Sequence, residues 1–242
     1  MEFLVDVADW FADPARWSGR RGIPFRTLQH LQLAVIPTLI ALALAAPPAA
    51  YLAHRRAGAF VANATVNVGR AIPSFGVLVV AALFAFRWGL SARFWPIVIV
   101  LVLLALPPIF TNTYTAIRGV DPAIVEAARG MGQTEREVLL STELPLGSPV
   151  VLAGIRIAFL QVLATVPLAA VVGDTGGLGI YIILGLGQGS RGRTTVFAGA
   201  LVVALLTVLM DALWTRGERL LLPAGIRRTV RLEDVADTAV PA

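Results

Sequence analysis

An all-helical bundle that crosses a membrane about five times is the fold this sequence predicts, and three observations carry the prediction. Apolar blocks of about 20 residues recur along the 242-residue chain, the length a helix needs to cross a hydrocarbon layer ~30 Å thick. The composition is 57% hydrophobic against 14% charged, with a mean hydropathy of +0.78, well outside the range of soluble domains. The charges are also sorted: all 20 basic residues are arginines, and they gather at the ends of the apolar blocks.

The same counts exclude several classes of function. With no lysine, the chain cannot hold a G-x-x-x-x-G-K-[ST] phosphate loop, so any ATP-driven work needs a separate ATPase subunit. With no cysteine there is no disulfide or thiolate metal site, and with only His30 and His54 a histidine metal cluster is implausible. No cofactor is expected. The pI near 10.9 reflects arginines at membrane boundaries and is not read as a nucleic-acid surface.

In chain order, residues 1–30 form an interfacial segment in which Trp10, Phe11 and Trp17 alternate with acids and arginines. The reading is a short helix with tryptophans at headgroup depth, or else a frayed terminus. The membrane domain spans residues 31–214. Its first span is Leu31 to Ala53, kinked at Pro37, Pro47 and Pro48 and closed by His54-Arg55-Arg56. Residues 57–71 form a helix with Arg70 near its end. Pro73 then breaks the chain before a second span over Ser74 to Phe86. The third span runs from Phe94 to Ile117, with a bend at Pro107-Pro108, and the fourth from Val150 to Val172. Leu178 to Leu186 is apolar but too short to cross, which makes it a re-entrant or interfacial turn. The fifth span covers Thr194 to Trp214, and residues 215–242 form a tail that turns polar after Arg231.

The longest polar interruption is Asp121 to Pro145, DPAIVEAARGMGQTEREVLLSTELP. Asp121 is an N-cap with Pro122 at the first helical position, and Gly130 and Gly132 bracket Met131 where that helix ends. Thr134 and Glu137 make a T-x-x-E capping box that starts a second helix, expected to stop near Leu144-Pro145. Each helix would be about ten residues, roughly 15 Å, too short to span. Ile124, Val125, Ala128 and Met131 recur at helical spacing and give one apolar face. A capped helix pair bent at small residues suits docking into a groove on another protein.

Glu126-Ala127-Ala128, then Gly132, then Leu144-Pro145 resembles the EAA loop of permease subunits in ABC importers. The surrounding stretch, LPPIFTNTYTAIRGVDPAIVEAARGMG from Leu106 to Gly132, is most similar to the permeases for osmoprotectants such as glycine betaine, choline and carnitine. The resemblance implies a type I importer transmembrane domain like that of the methionine permeases, in a bacterial inner membrane. It implies ABC ATPase subunits inside, an extracytoplasmic substrate-binding protein outside and a second permease chain, identical or related. It further implies that Glu126, Ala127, Ala128, Gly130, Gly132, Leu144 and Pro145 couple ATP hydrolysis to transport. GDTGGLG resembles the GAGGLG turn of the same permeases, with Asp174-Thr175 as the departure, and this makes Gly173, Gly176, Gly177 and Gly179 either an outer-gate turn or a simple chain reversal.

With the loop on the cytoplasmic side, five spans put the N-terminus outside and the tail inside. Arg55, Arg56, Arg70, Arg118, Arg129, Arg136 and five tail arginines then lie inside, against Arg87, Arg93, Arg191 and Arg193 in the outer loops. Arg16, Arg20, Arg21 and Arg26 run against this sorting. Glu126 lies mid-helix on the loop, where its carboxylate could pair with an arginine of the ATPase or with Arg129, or simply be a solvated helix charge. Within the spans two charges stand out. Arg156 is expected to snorkel toward the interface, and Asp211 to pair with Arg216 or Arg156. Phe75, Phe84, Phe86, Phe110, Tyr114 and Phe159 are candidates for cation–π contact with a quaternary amine, although aromatic residues in spans commonly serve packing. Two other classes compete. A secondary transporter or channel would show internal repeats, and none is found. An intramembrane enzyme would cluster polar groups at membrane depth, where little stands beyond Arg156 and Asp211. Within the importer class, a permease for another small solute, such as an amino acid, is the alternative.

Overall fold

The fold is described from a computed structural model, which describes residues 2–62, 64–65, 76–77, 80, 83, 87, 94–172 and 176–221. The second expected span, with Arg70, Pro73, Phe75, Phe84 and Phe86, falls largely or wholly outside the described residues, as do Gly173, Asp174, Thr175 and the tail beyond Leu221.

The chain opens with α1 (Glu2–Ala12) and a 3-10 turn, Pro14–Arg16, whose start is capped by Asp13 accepting from the Ala15 N–H at 2.9 Å. Trp10 is buried against Phe11 and Tyr181, with ring centroids 5.0 and 5.5 Å away, so this side chain packs as protein core. Trp17 stays exposed and donates its indole N–H to the Phe11 carbonyl at 2.7 Å.

The first spanning helix, α2 (Ile23–His54), begins eight residues earlier than Leu31, because the Gly19 to Gly22 turn ends at Pro24, which is pre-set for a first helical turn. At 32 residues it is longer than a bilayer core requires and carries Pro37, Pro47 and Pro48 in its interior. Its inward face is a ladder of small residues, Ala34, Ala41, Ala45, Ala49 and Ala53, all buried. That face admits α3 (Phe94–Arg118) at close range, and α3 in turn packs against α6 (Leu144–Thr165). Gly147 and Gly154 of α6 make the second approach possible: a Cβ on Gly147 would come within 3.1 Å of the Ala116 backbone.

Between α3 and α6 lie α4 (Pro122–Gly130), α5 (Glu135–Glu137) and a π-helical segment, Val138–Glu143. A 3-10 stretch, Val166–Val172, follows α6. Then come α7 (Gly179–Gly187), a 3-10 turn, Gly189–Gly192, and α8 (Arg193–Leu221). Four helical stretches among the described residues are long and apolar enough to cross a membrane: Ile23–His54, Phe94–Arg118, Glu135–Val171 and Gly189–Glu218. They match four of the five expected spans, and α7, at nine residues, does not cross. The architecture is an all-helical, multi-pass membrane bundle.

One expected boundary is wrong. The helix that starts at Thr134 does not stop at Leu144-Pro145 but runs on through the π segment into α6 as one rod, Glu135–Val171. The wider π turn lets the Leu144 N–H reach back to the Leu139 carbonyl, and Pro145 then falls in the first turn of α6, where its missing N–H is tolerated.

Candidate functional site

The loop singled out from sequence forms a compact knob at one end of the bundle. Asp121 caps α4 by accepting from the Ala123 N–H at 2.8 Å, and Pro122 occupies the first turn. At the other end the chain turns through Met131 and Gly132, whose φ of +86° is the left-handed conformation that glycine adopts freely. The reciprocal capping box is present: Glu137 accepts from the Thr134 N–H at 2.7 Å while the Thr134 hydroxyl accepts from the Glu137 N–H at 3.4 Å.

The apolar stripe of α4 is only half covered by the bundle. Val125 and Ala128 turn inward and, with Val120 and Val138, form a small core of their own, separate from the main one. Ile124 and Met131 are 44% and 76% exposed, and their i, i+7 spacing puts both along one edge of the helix next to exposed Ala127, with Glu126 exposed further round. Two exposed apolar anchors form a surface a partner groove can bury. Gly130 is also exposed, and a Cβ there, as at Gly132, would meet nothing within 4 Å. Leu144 and Pro145 are half-buried on the rod beyond the π segment.

Arg129 pairs with Glu135 and not with Glu126, as its Nε and a terminal nitrogen each donate to a different oxygen of Glu135 at 2.9 Å. These hydrogen bonds hold the guanidinium's pKa further above its usual value. Glu126 has no hydrogen-bond or ion-pair partner among the described residues. Glu135 also lies 3.0 Å from His54 Nε2, and His54 Nδ1 is 2.6 Å from Glu143. Sequence reading took His54 for part of a positive helix cap. The only local hint of its contacts was a histidine ending an apolar helix, while its partner Glu143 is 89 residues away.

The glycine turn lies at the opposite end of the bundle. Gly176 and Gly177 have φ of +95° and +85°, and a Cβ on Gly176 would come within 2.9 Å of the Gln29 side chain. Gly179 is tighter still, with a Cβ position 2.5 Å from Pro167 backbone atoms. His30, fully buried, fixes this turn: Nδ1 accepts from the Leu178 N–H at 3.2 Å and Nε2 donates to the Leu163 carbonyl at 3.0 Å. Sequence reading did not identify that role. Tyr181 adds a hydrogen bond to the Arg21 carbonyl at 2.6 Å.

Arg156 does not snorkel; it pairs with Asp211 across α6 and α8. The aromatic candidates among the described residues form no cage. Phe110 stacks on Tyr114 with centroids 6.5 Å apart, Phe159 lies against Trp214 at 6.1 Å, and the Tyr114 hydroxyl donates to the Ala57 carbonyl.

The profile of a family described as the binding-protein-dependent transport system inner membrane component matches residues 38–221. The chain is 32% identical over 208 residues to the choline transport system permease protein OpuBB of Bacillus subtilis, covering 86% of this chain and 92% of that protein. It is 30% identical over 203 residues to the glycine betaine/carnitine/choline transport system permease protein OpuCB of the same organism, covering 84% and 90%. Among solved structures, inward-facing MetNI methionine ABC transporter has a chain with the same fold: TM-score 0.69 at 21% identity, covering 87% of this chain and 99% of that one.

Proposed function

Because the chain belongs to the family of binding-protein-dependent transport system inner membrane components, we propose that it forms the translocation path for a quaternary-amine osmoprotectant such as choline, carnitine or glycine betaine. Relatives named for those solutes, at 30–32% identity over most of the chain, support the substrate class. In this reading two permease chains line one path, an ABC ATPase pair drives it from the cytoplasm, and a binding protein delivers solute from outside. The N-terminus faces outward and the tail faces the cytoplasm.

The observation that carries the ATPase coupling is the knob itself. A helix capped at both ends sits on its own four-residue apolar core and turns Ile124 and Met131 to solvent. Glu126, Ala127, Gly130 and Gly132 complete the face that enters the ATPase groove, and Leu144 and Pro145 join it to the rod that moves. The turn containing Gly176, Gly177 and Gly179 closes the outer end of the path, with Gly173 continuing it.

The test is uptake by proteoliposomes holding the complete transporter. Labelled choline, carnitine or glycine betaine enters only when ATP and the binding protein are both present. Uptake that persists with a hydrolysis-dead ATPase contradicts the reading.

A further inference from the structure

We propose that His54 is a positioning residue that ties the docking helix to the first spanning helix, so that movement of α4 is delivered sideways into α2. The proposal rests on the reading that an ATPase grips α4.

Four ionisable side chains form an unbroken chain between these two helices. Arg129 of α4 holds Glu135 through two hydrogen bonds of 2.9 Å. Glu135 meets His54 Nε2 at 3.0 Å, and His54 Nδ1 meets Glu143 at 2.6 Å. Both ring nitrogens of His54 thus lie within hydrogen-bond reach of a carboxyl group, and the imidazole is held at both edges. His54 and Glu143 have side chains 5% and 6% exposed, so their contact is shielded from water. Basic and acidic side chains alternate along the chain, and each buried group has a polar partner.

Nearby charges are engaged elsewhere. Arg55 lies over the Tyr51 ring, 5.6 Å from its centroid, and Glu137 is held by Thr134. The apolar contacts take another route: the docking knob's core, with Val138, is a cluster distinct from the one containing α2, against which Leu139 packs. Glu143 also belongs to the π segment, the place where the rod departs from regular helical register. His54 therefore joins three elements that must move together: α2, the start of the rod, and, through Glu135 and Arg129, the docking helix. A contiguous set of rigid contacts of this kind can carry coupling between sites, and the measurement of coupling decides it.

The experiment uses the complete transporter in proteoliposomes and reads ATP hydrolysed per solute imported. ATPase co-purification and the thermal midpoint are measured alongside. His54→Ala is expected to keep the ATPase bound while raising ATP per solute about fivefold or more, the size of a typical coupling free energy. Glu135→Gln, at an exposed carboxylate, shifts the ratio in the same direction and decides the matter if His54→Ala does not assemble. His54→Arg, which offers donors to both carboxyl groups, restores part of the ratio. An unchanged ratio in both His54→Ala and Glu135→Gln overturns the proposal, as does a parallel fall of uptake and hydrolysis with the thermal midpoint. If Met131→Cys in an otherwise wild-type chain fails to cross-link to the ATPase, the docking reading itself falls, a result distinct from an unchanged ratio.

Discussion

Arg156 on α6 and Asp211 on α8 meet at 2.6 to 2.7 Å, with two guanidinium nitrogens on one carboxylate oxygen. The pair fastens α8, whose Leu205, Val208, Leu209 and Leu213 face outward, to the middle of the bundle. Asp211→Ala should cost about 1–2 kcal/mol, the lower part of the range for hydrogen bonds to charged groups, because both side chains are partly exposed. The double replacement Arg156→Leu with Asp211→Leu should recover most of the loss, since no charge is left alone. Thermal unfolding of the wild type and the two variants in detergent checks this. A double variant less stable than Asp211→Ala would contradict it.

Gly130 and Gly132 separate backbone need from docking need. Gly132→Ala puts a side chain at φ +86°, a cost of about 1–2 kcal/mol, whereas Gly130→Ala meets neither strain nor neighbours and should be neutral or slightly stabilising. On the docking reading, Gly132→Leu leaves the protein in the membrane but abolishes uptake, and Gly130→Leu lowers uptake without lowering the thermal midpoint. Full uptake by Gly130→Leu would remove that position from the docked face.

Helix proximity gives a third expectation. A Cβ on Gly154 would run into the Asn112 side chain and lie 3.1 Å from the Pro108 carbonyl oxygen, at the crossing of α6 with α3. Gly154→Ala should cost about 1–3 kcal/mol through overpacking. Gly187→Ala, with nothing within 4 Å, should be silent. Equal thermal midpoints for the two variants would show that the helices do not approach as described.

What the sequence disclosed was what local chemistry decides. Span lengths follow from hydrophobic runs, and the Asp121 cap, the Thr134–Glu137 box and the Gly132 turn each involve residues within three positions of one another. Three features lay beyond that reach. The split of α4's apolar residues into Val125 and Ala128 inward and Ile124 and Met131 outward depends on Val120 and Val138, which only the folded chain brings beneath the helix. The passage through Pro145 depends on a π turn that has no clear sequence mark. The two histidines act across 89 to 148 residues, His54 to Glu143 and His30 to Leu163 and Leu178, and no spacing rule connects such positions.

The central claim, that α4 is gripped by a separate ATPase, can be tested at one exposed atom. The chain contains no cysteine, so Met131→Cys introduces a single thiol at a position 76% exposed on the knob. The thiol should cross-link to a cysteine in the ATPase groove within the assembled transporter. In intact cells it should resist a membrane-impermeant maleimide added from outside. Labelling from outside, or no cross-link to any position of the ATPase, would contradict the account.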